Sequence, residues 1–219
     1  MFVEHFPQDR VAVLAGTPGV LEGFHHEIVI EALESSPRPV VFLDGAHCLN
    51  PYDFGERNFL RGHPGDFGAD RLLTCRAMTP FQWAKMLTDE LHDTLQAHAP
   101  SLVVAAHFDL QFNKDDLVDW EQEDYVAASL RHMRRLAHHH RTPILLTLDL
   151  ARWTRTHPAA SQLLLRADLP LRTVTVDPRG FTMRDDKGNI IVEPQAQLRT
   201  LDAWMPVELE AEDPIPVRL

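Results

Sequence analysis

The chain has 219 residues, 44% of them hydrophobic, and a net charge of −11 at pH 7. That length can bury a full core in one domain, and the acidity excludes a general nucleic-acid binder, whose affinity comes from phosphates neutralised by Lys and Arg. Two cysteines, Cys48 and Cys75, are too few for a disulfide framework; MFVEHFPQDR at the start lacks the basic and apolar parts of a leader, and no apolar run approaches the roughly 18 residues of a membrane span, so a cytoplasmic protein is expected.

The first element with chemistry in it is Val11 to Gly23, VAVLAGTPGVLEG, an apolar run that breaks into a loop with glycine and proline and re-enters an amphipathic segment. Strand, loop and helix in that order form the layout of a phosphate-binding loop, G-x-x-x-x-G-K-[ST], in which backbone N–H groups surround a polyphosphate. Framed from Gly16, the chain places Thr17, Pro18 and Gly19 in the loop, but Leu21 stands for the second glycine, Glu22 for the lysine and Gly23 for the magnesium-binding hydroxyl. A carboxylate at Glu22 repels phosphate, so the frame is expected without its chemistry.

Three further runs, Pro39 to Asp44, Leu102 to Ala106 and Ile144 to Leu150, are continuously apolar like the first, as suits strands buried on both faces of a parallel sheet. Helical spacing fills the intervals at Thr79 to His98, with Thr79 as N-cap and Pro80 at the first position, and at Glu123 to His140. Alternating strands and helices predict a doubly wound α/β fold with a mostly parallel central sheet. After Leu150 the segments Leu171 to Val176, Phe181 to Arg184 and Ile190 to Glu193 are short and alternating, with Pro- and Gly-bearing turns between them, and predict antiparallel strands at the sheet edge. Residues 1–204 are read as one domain and 205–219, MPVELEAEDPIPVRL, as an acidic proline-containing tail.

The segment Val40 to Pro51, VVFLDGAHCLNP, resembles the second core strand of RecA-type recombinases and their RadA relatives, which carry a motif close to FIDAEHALDP; Phe42, Asp44, His47, Leu49 and Pro51 carry the match. The downstream order is similar too, through a strand at Arg71 to Arg76, the Thr-Pro-started helix, LVVAAHFDL at the Walker B place and ILLTLDLAR where the family has LIFINQIR. The resemblance covers roughly residues 11 to 177 and implies a RecA-like domain. Its departures imply a pseudo-ATPase: Glu22 replaces the phosphate lysine, Ala46 the water-activating glutamate, Ala106 the Walker B aspartate, and Asp149 the γ-phosphate-sensing glutamine. Phosphoryl transfer rests on positioning and charge stabilisation, so these losses together remove the mechanism, and no cofactor and no productive ATP binding are expected.

The resemblance also implies two DNA-contacting loops. The first maps to Asp109 to Asp124, where seven carboxylates face one Lys114; that loop repels DNA, and Phe112 and Trp120 are candidate anchors for a protein partner instead. The second maps to Ala151 to His157, where Arg152, Trp153 and Arg155 combine charge with stacking, as single-stranded DNA prefers. The basic run Arg131 to Arg141 answers a helix C-terminal dipole. Gln197 to Leu201, QLRTL, faintly resembles a clamp-docking peptide. No metal site is assigned; His26, His47, His107 and Asp109 are weak candidates because a doubly wound sheet gathers them at its carboxyl edge. The expected function is a non-catalytic recombination or repair accessory that binds an active recombinase or another paralogue, assembles as a homodimer or hetero-oligomer, and has no membrane role. A metal-dependent enzyme at the former phosphate site and an interaction module unrelated to DNA are the alternatives.

Overall fold

Runs in which every residue is apolar find partners on both faces only inside a sheet sandwiched by helices. In the computed structural model, which describes residues 2–112, 117–167, 169–177 and 180–193, these runs form the middle of one eight-stranded sheet. Strands β1 (Val11–Ala15), β2 (Val40–Asp44), β3 (Leu72–Arg76), β4 (Leu102–Ala106), β5 (Ile144–Leu148) and β6 (Leu171–Asp177) are parallel, and β7 (Gly180–Arg184) and β8 (Ile190–Val192) add on antiparallel. Their order across the sheet is β3-β2-β4-β5-β1-β6-β7-β8.

The helices are α1 (Pro18–Ser35), α2 (Pro51–Leu60), α3 (Pro80–Lys85), α4 (Leu91–His98), α5 (Phe108–Phe112), α6 (Asp119–His140), α7 (Leu150–Thr156) and α8 (Pro158–Arg166). Successive strand side chains point to opposite faces, so each strand feeds two cores. Val11 and Val13 join Trp83, Leu130, Trp153 and Leu164 from α3, α6, α7 and α8, whereas Ala12 and Leu14 join Phe24, Ile28 and Phe54 from α1 and α2. The chain therefore leaves β1 and β2 on one face of the sheet and β3, β4 and β5 on the other. Between β2 and β4 the exits diverge, and the crevice at such a switch point is where ligands bind in open α/β sheets.

Several expected elements shift for local reasons. The run Ile144 to Leu150 stops as a strand at Leu148, because the Asp149 side chain accepts a hydrogen bond from the Arg152 amide (2.9 Å) and caps α7. The helix expected over Thr79 to His98 is α3 and α4 joined through a π-helical turn at Met86–Glu90, with Thr79 capping it as its sequence implies. Helix α6 begins at Asp119, ahead of the expected Glu123. The segment from Leu171, expected to be antiparallel, pairs parallel with β1 and turns antiparallel only toward β7. The proposed tail and Gln197 to Leu201 lie outside the described residues. Among the described residues no helix is long and apolar enough to cross a membrane.

One ion network ties the two helices of the α1 face together. The Glu27 side chain is only 5% exposed and takes Arg57 at 2.5 Å and Arg61 at 2.6 Å, while Arg61 also reaches Glu34 at 2.8 Å. Removing one partner of a buried pair strands the other charge. Glu27→Ala is expected to cost about 3 kcal/mol, read as a lower urea midpoint at unchanged slope.

Candidate functional site

The carboxyl ends of β2 and β4 cross more closely than side chains permit. The Gly45 amide bonds to Ala106 O at 3.2 Å, and a Cβ added at Gly45 would lie 2.7 Å from that same oxygen. From this crossing the loop after β2 is wound around the buried carboxylate of Asp44. Its Oδ1 accepts the amides of Ala46 (3.3 Å) and Cys48 (2.9 Å) and the Cys48 thiol (3.4 Å), and its Oδ2 accepts Leu49 N (3.3 Å) and Arg76 Nε (3.2 Å). Burial alone would raise this carboxyl, but the amides of Cys48 and Leu49, the thiol and the Ala46 amide outweigh it and hold the group below its ordinary range.

The loop delivers Cys48 to two buried histidines. His25 comes from α1, a helix whose inner residues are buried over three turns, and its Nδ1 lies 3.5 Å from Cys48 Sγ. His107 follows β4 with a left-handed backbone (φ 50°), and its ring meets that of His25 edge to face at 5.2 Å. One ring nitrogen of each histidine and the Cys48 sulfur all lie within 4.8 Å of one another. Thr147 of β5 sits beneath them, with its Oγ1 2.7 Å from His25 Nε2 and accepting the His107 amide at 3.0 Å. The pattern that satisfies every partner runs one way: His107 N–H to Thr147, Thr147 O–H to His25 Nε2, His25 Nδ1–H to Cys48, and thiol to Asp44. His107 Nε2 stays outside this chain, buried and without a hydrogen-bond partner among the described residues.

The electrostatics keep this cluster uncharged. Burial first, then the neighbouring His107 and His26, lower His25 well below the usual histidine range; burial likewise lowers His107, against the pull of Asp44 and Asp149. Burial and the Asp44 charge raise the Cys48 thiol far above its ordinary value, so it is a protonated thiol near neutral pH.

The segment read as a phosphate-binding loop is short in the structure. Just Gly16 and Thr17 separate β1 from α1, so Gly19, Glu22 and Gly23 are already helical. Pro18 offers no N–H, the Leu21 amide is spent on Thr17 O (2.9 Å), and a Cβ at Gly16 would press on Val174 and Leu21 at 3.0 and 3.1 Å. Glu22 is exposed, Ala46 is half-buried, Ala106 is buried at the end of β4, and Asp149 serves as a helix cap.

Of the metal candidates named from sequence, His107 alone enters the cluster. His26 donates from Nδ1 to Glu22 O (3.0 Å) and accepts Asn50 N (3.3 Å) at Nε2, and exposed His47 spends Nε2 on Ala77 O (3.2 Å). Asp109 is fully buried, with the amides of Asp109 and Asp149 near its carboxylate. His25 and Cys48 escaped the sequence reading; the one signal available was their fall on helix and loop at the ends of β1 and β2.

Two interface candidates are corrected by burial. Phe112 is fully buried against Phe108, so it anchors α5 and no partner, whereas Trp120 is 65% exposed at the start of α6. Trp153 is fully buried, edge to face with Phe108, because residues 150–156 fold as α7 and not as a loop. Arg152 and Arg155 remain exposed but have lost the stacking residue between them. The exposed arginines that do collect are Arg131, Arg134 and Arg135, which line one depression on α6. The chain matches no known protein family and no characterised protein.

Trp153→Ala is expected to cost about 3–5 kcal/mol as a core deletion, while Arg152→Ala and Arg155→Ala stay within about 0.5 kcal/mol, all read by urea denaturation. A pH test follows from Asp109, whose carboxyl burial raises from 3.8 to about 6, with Asp149 adding to the rise and nearby amides tempering it. A folded-state value above the unfolded one means that stability from this group is full below the ordinary value and is lost as pH rises through about 6. Asp109→Asn is therefore expected to stabilise the fold by about 3 kcal/mol at pH 8 and to lose that advantage by about pH 4, measured as the difference between the two denaturation curves across pH.

Proposed function

We propose that the protein is a non-catalytic, RecA-like accessory that acts by assembling with a protein partner and neither binds nor hydrolyses ATP. The observation that carries this reading is the two-residue junction between β1 and α1. A polyphosphate site needs a run of free amides bent around the ligand, and this junction offers Gly16, Thr17 at the N-cap position and a proline without N–H, with the Glu22 carboxylate following in the first turns of α1. The parallel sheet with helices on both faces and the order of elements along the chain are compatible with the resemblance. The setting in recombination or repair and the choice of a RecA-type ATPase as partner come from the resemblance alone.

Surface chemistry favours a protein over DNA as the partner. Trp120 and Val118, 65% and 53% exposed, stand beside the acidic start of α6, and exposed Phe81 contacts Tyr125 edge to face at 6.0 Å on the neighbouring helix. Exposed aromatics in such a setting are what interfaces bury at their centres. No DNA contact through Arg152, Trp153 and Arg155 is part of the proposal, since Trp153 is core.

The test joins two measurements. Mg-ATP is expected to leave the melting temperature unchanged at millimolar concentration, because a ligand stabilises only the state it binds. Sedimentation velocity at tens of micromolar should show self-association or a complex with a RecA-type recombinase, weakened at least tenfold by Trp120→Ala, a change of about 1.4 kcal/mol or more. A saturable rise in melting temperature with ATP, or a monomer that ignores the recombinase, would sink the proposal.

A further inference from the structure

We propose that His25, Cys48 and His107 form a binding site for a single thiophilic divalent cation, zinc by its chemistry. Three independent features of the crevice between β2 and β4 converge on it. The donors are one soft sulfur and two imidazole nitrogens, the set that selects zinc over magnesium or calcium, which take oxygen. The spacing is close to what coordination needs: zinc bonds of about 2.0–2.3 Å in a tetrahedron place ligand atoms about 3.3–3.6 Å apart. His25 Nδ1 and Cys48 Sγ already sit at 3.5 Å, and the widest separation within the trio, up to 4.8 Å, closes by a side-chain movement of about 1 Å.

The third feature is the surroundings. His107 is 1% exposed and its Nε2 has no hydrogen-bond partner among the described residues, a costly state for a buried polar atom unless something else satisfies it. Its left-handed backbone is a strained conformation for a residue with a side chain, of the kind retained where position matters. Two of the three ligands are also held from behind, as metal ligands generally are. In the tautomer that binds an ion, His25 Nε2–H donates to Thr147 Oγ1 and Nδ1 is free to ligate, and the Asp44 carboxylate lies 3.4 Å from the sulfur. Both Asp44 oxygens are occupied by amides and Arg76, so Asp44 supports Cys48 and does not ligate. Three protein ligands leave the fourth position to water, and half-buried Cys48 marks the side from which the ion enters. On binding, the thiol proton leaves to solvent, the His25 proton moves from Nδ1 to Nε2 where Thr147 Oγ1 accepts it, and the S–H···Asp44 bond gives way to a metal–sulfur bond. The ion would pin α1, the loop after β2 and the turn after β4 to one point. This inference does not depend on the partner-binding proposal.

The experiment titrates metal-free protein with Co²⁺ and then Zn²⁺. One equivalent of cobalt should produce a thiolate-to-cobalt charge-transfer band and intense tetrahedral visible bands, both bleached by zinc. Cys48→Ser should abolish the charge-transfer band, His107→Ala should weaken cobalt binding at least tenfold, and Cys75→Ser, at the exposed cysteine, should change nothing. The exposed His138 and His139 could collect cobalt but supply no sulfur, so a His138→Ala, His139→Ala variant should keep the thiolate band. Native protein gives a check free of folding defects: zinc should protect Cys48 but not Cys75 from alkylation, mapped by peptide mass. A missing thiolate band, a band that survives Cys48→Ser, or equal alkylation of Cys48 with and without zinc would overturn the site.

Discussion

The buried carboxylate of Asp44 is the constraint on which the carboxyl edge of the sheet depends. A lone buried charge is expensive, and this one is answered by three backbone amides, a thiol and the Arg76 guanidinium. Those bonds curl the chain after β2 into a loop that cannot wander, and the tight crossing of Gly45 over Ala106 O brings that loop against the end of β4. Cys48, His25 and His107 meet because of this wrapping, from three elements far apart in sequence.

Helix α1 is the second organiser, and it is unusual in burying polar residues on its inner turns. Each is answered by a different part of the chain: His25 by Thr147 of β5, His26 by the Asn50 amide, Glu27 by Arg57 and Arg61 of and after α2, and Glu31 by the Val3 amide. A helix held at so many points has little freedom to retreat from β1 and open a loop. The closed junction at Gly16 and Thr17 and the polar inner face of α1 are thus two aspects of one arrangement, in which the helix N-terminus is drawn onto the sheet instead of being held off it by a ligand-sized loop.

The acidic surface and the buried aromatics shape what the molecule can meet. Trp153 and Phe112 both pack against Phe108, filling the space under α5 and α7, so the residues best suited to stacking on a base are part of the core on that face. Trp120 has no such space available at the start of α6 and stays in solvent. The arginines of α6 gather on its outer face while its inner face holds Val126, Leu130 and Met133 in the core, so the basic run follows from amphipathicity as much as from any partner.

The sequence by itself determined the α/β class, the four central strands, the Thr79 cap and the antiparallel strands at the far edge, because continuous apolar runs, period-two alternation and turn residues are local signals. Only the tertiary structure decided that the loop is two residues long, that Trp153 and Phe112 are interior, and that His107 is joined by His25 and Cys48 while His26 and His47 are spent on Glu22 and Ala77. The reason is physical: whether a histidine or tryptophan faces water, a carbonyl or another ligand depends on which elements converge around it, and the pairing of α1, β2 and β4 is set by strand order and buried charge that no local pattern carries.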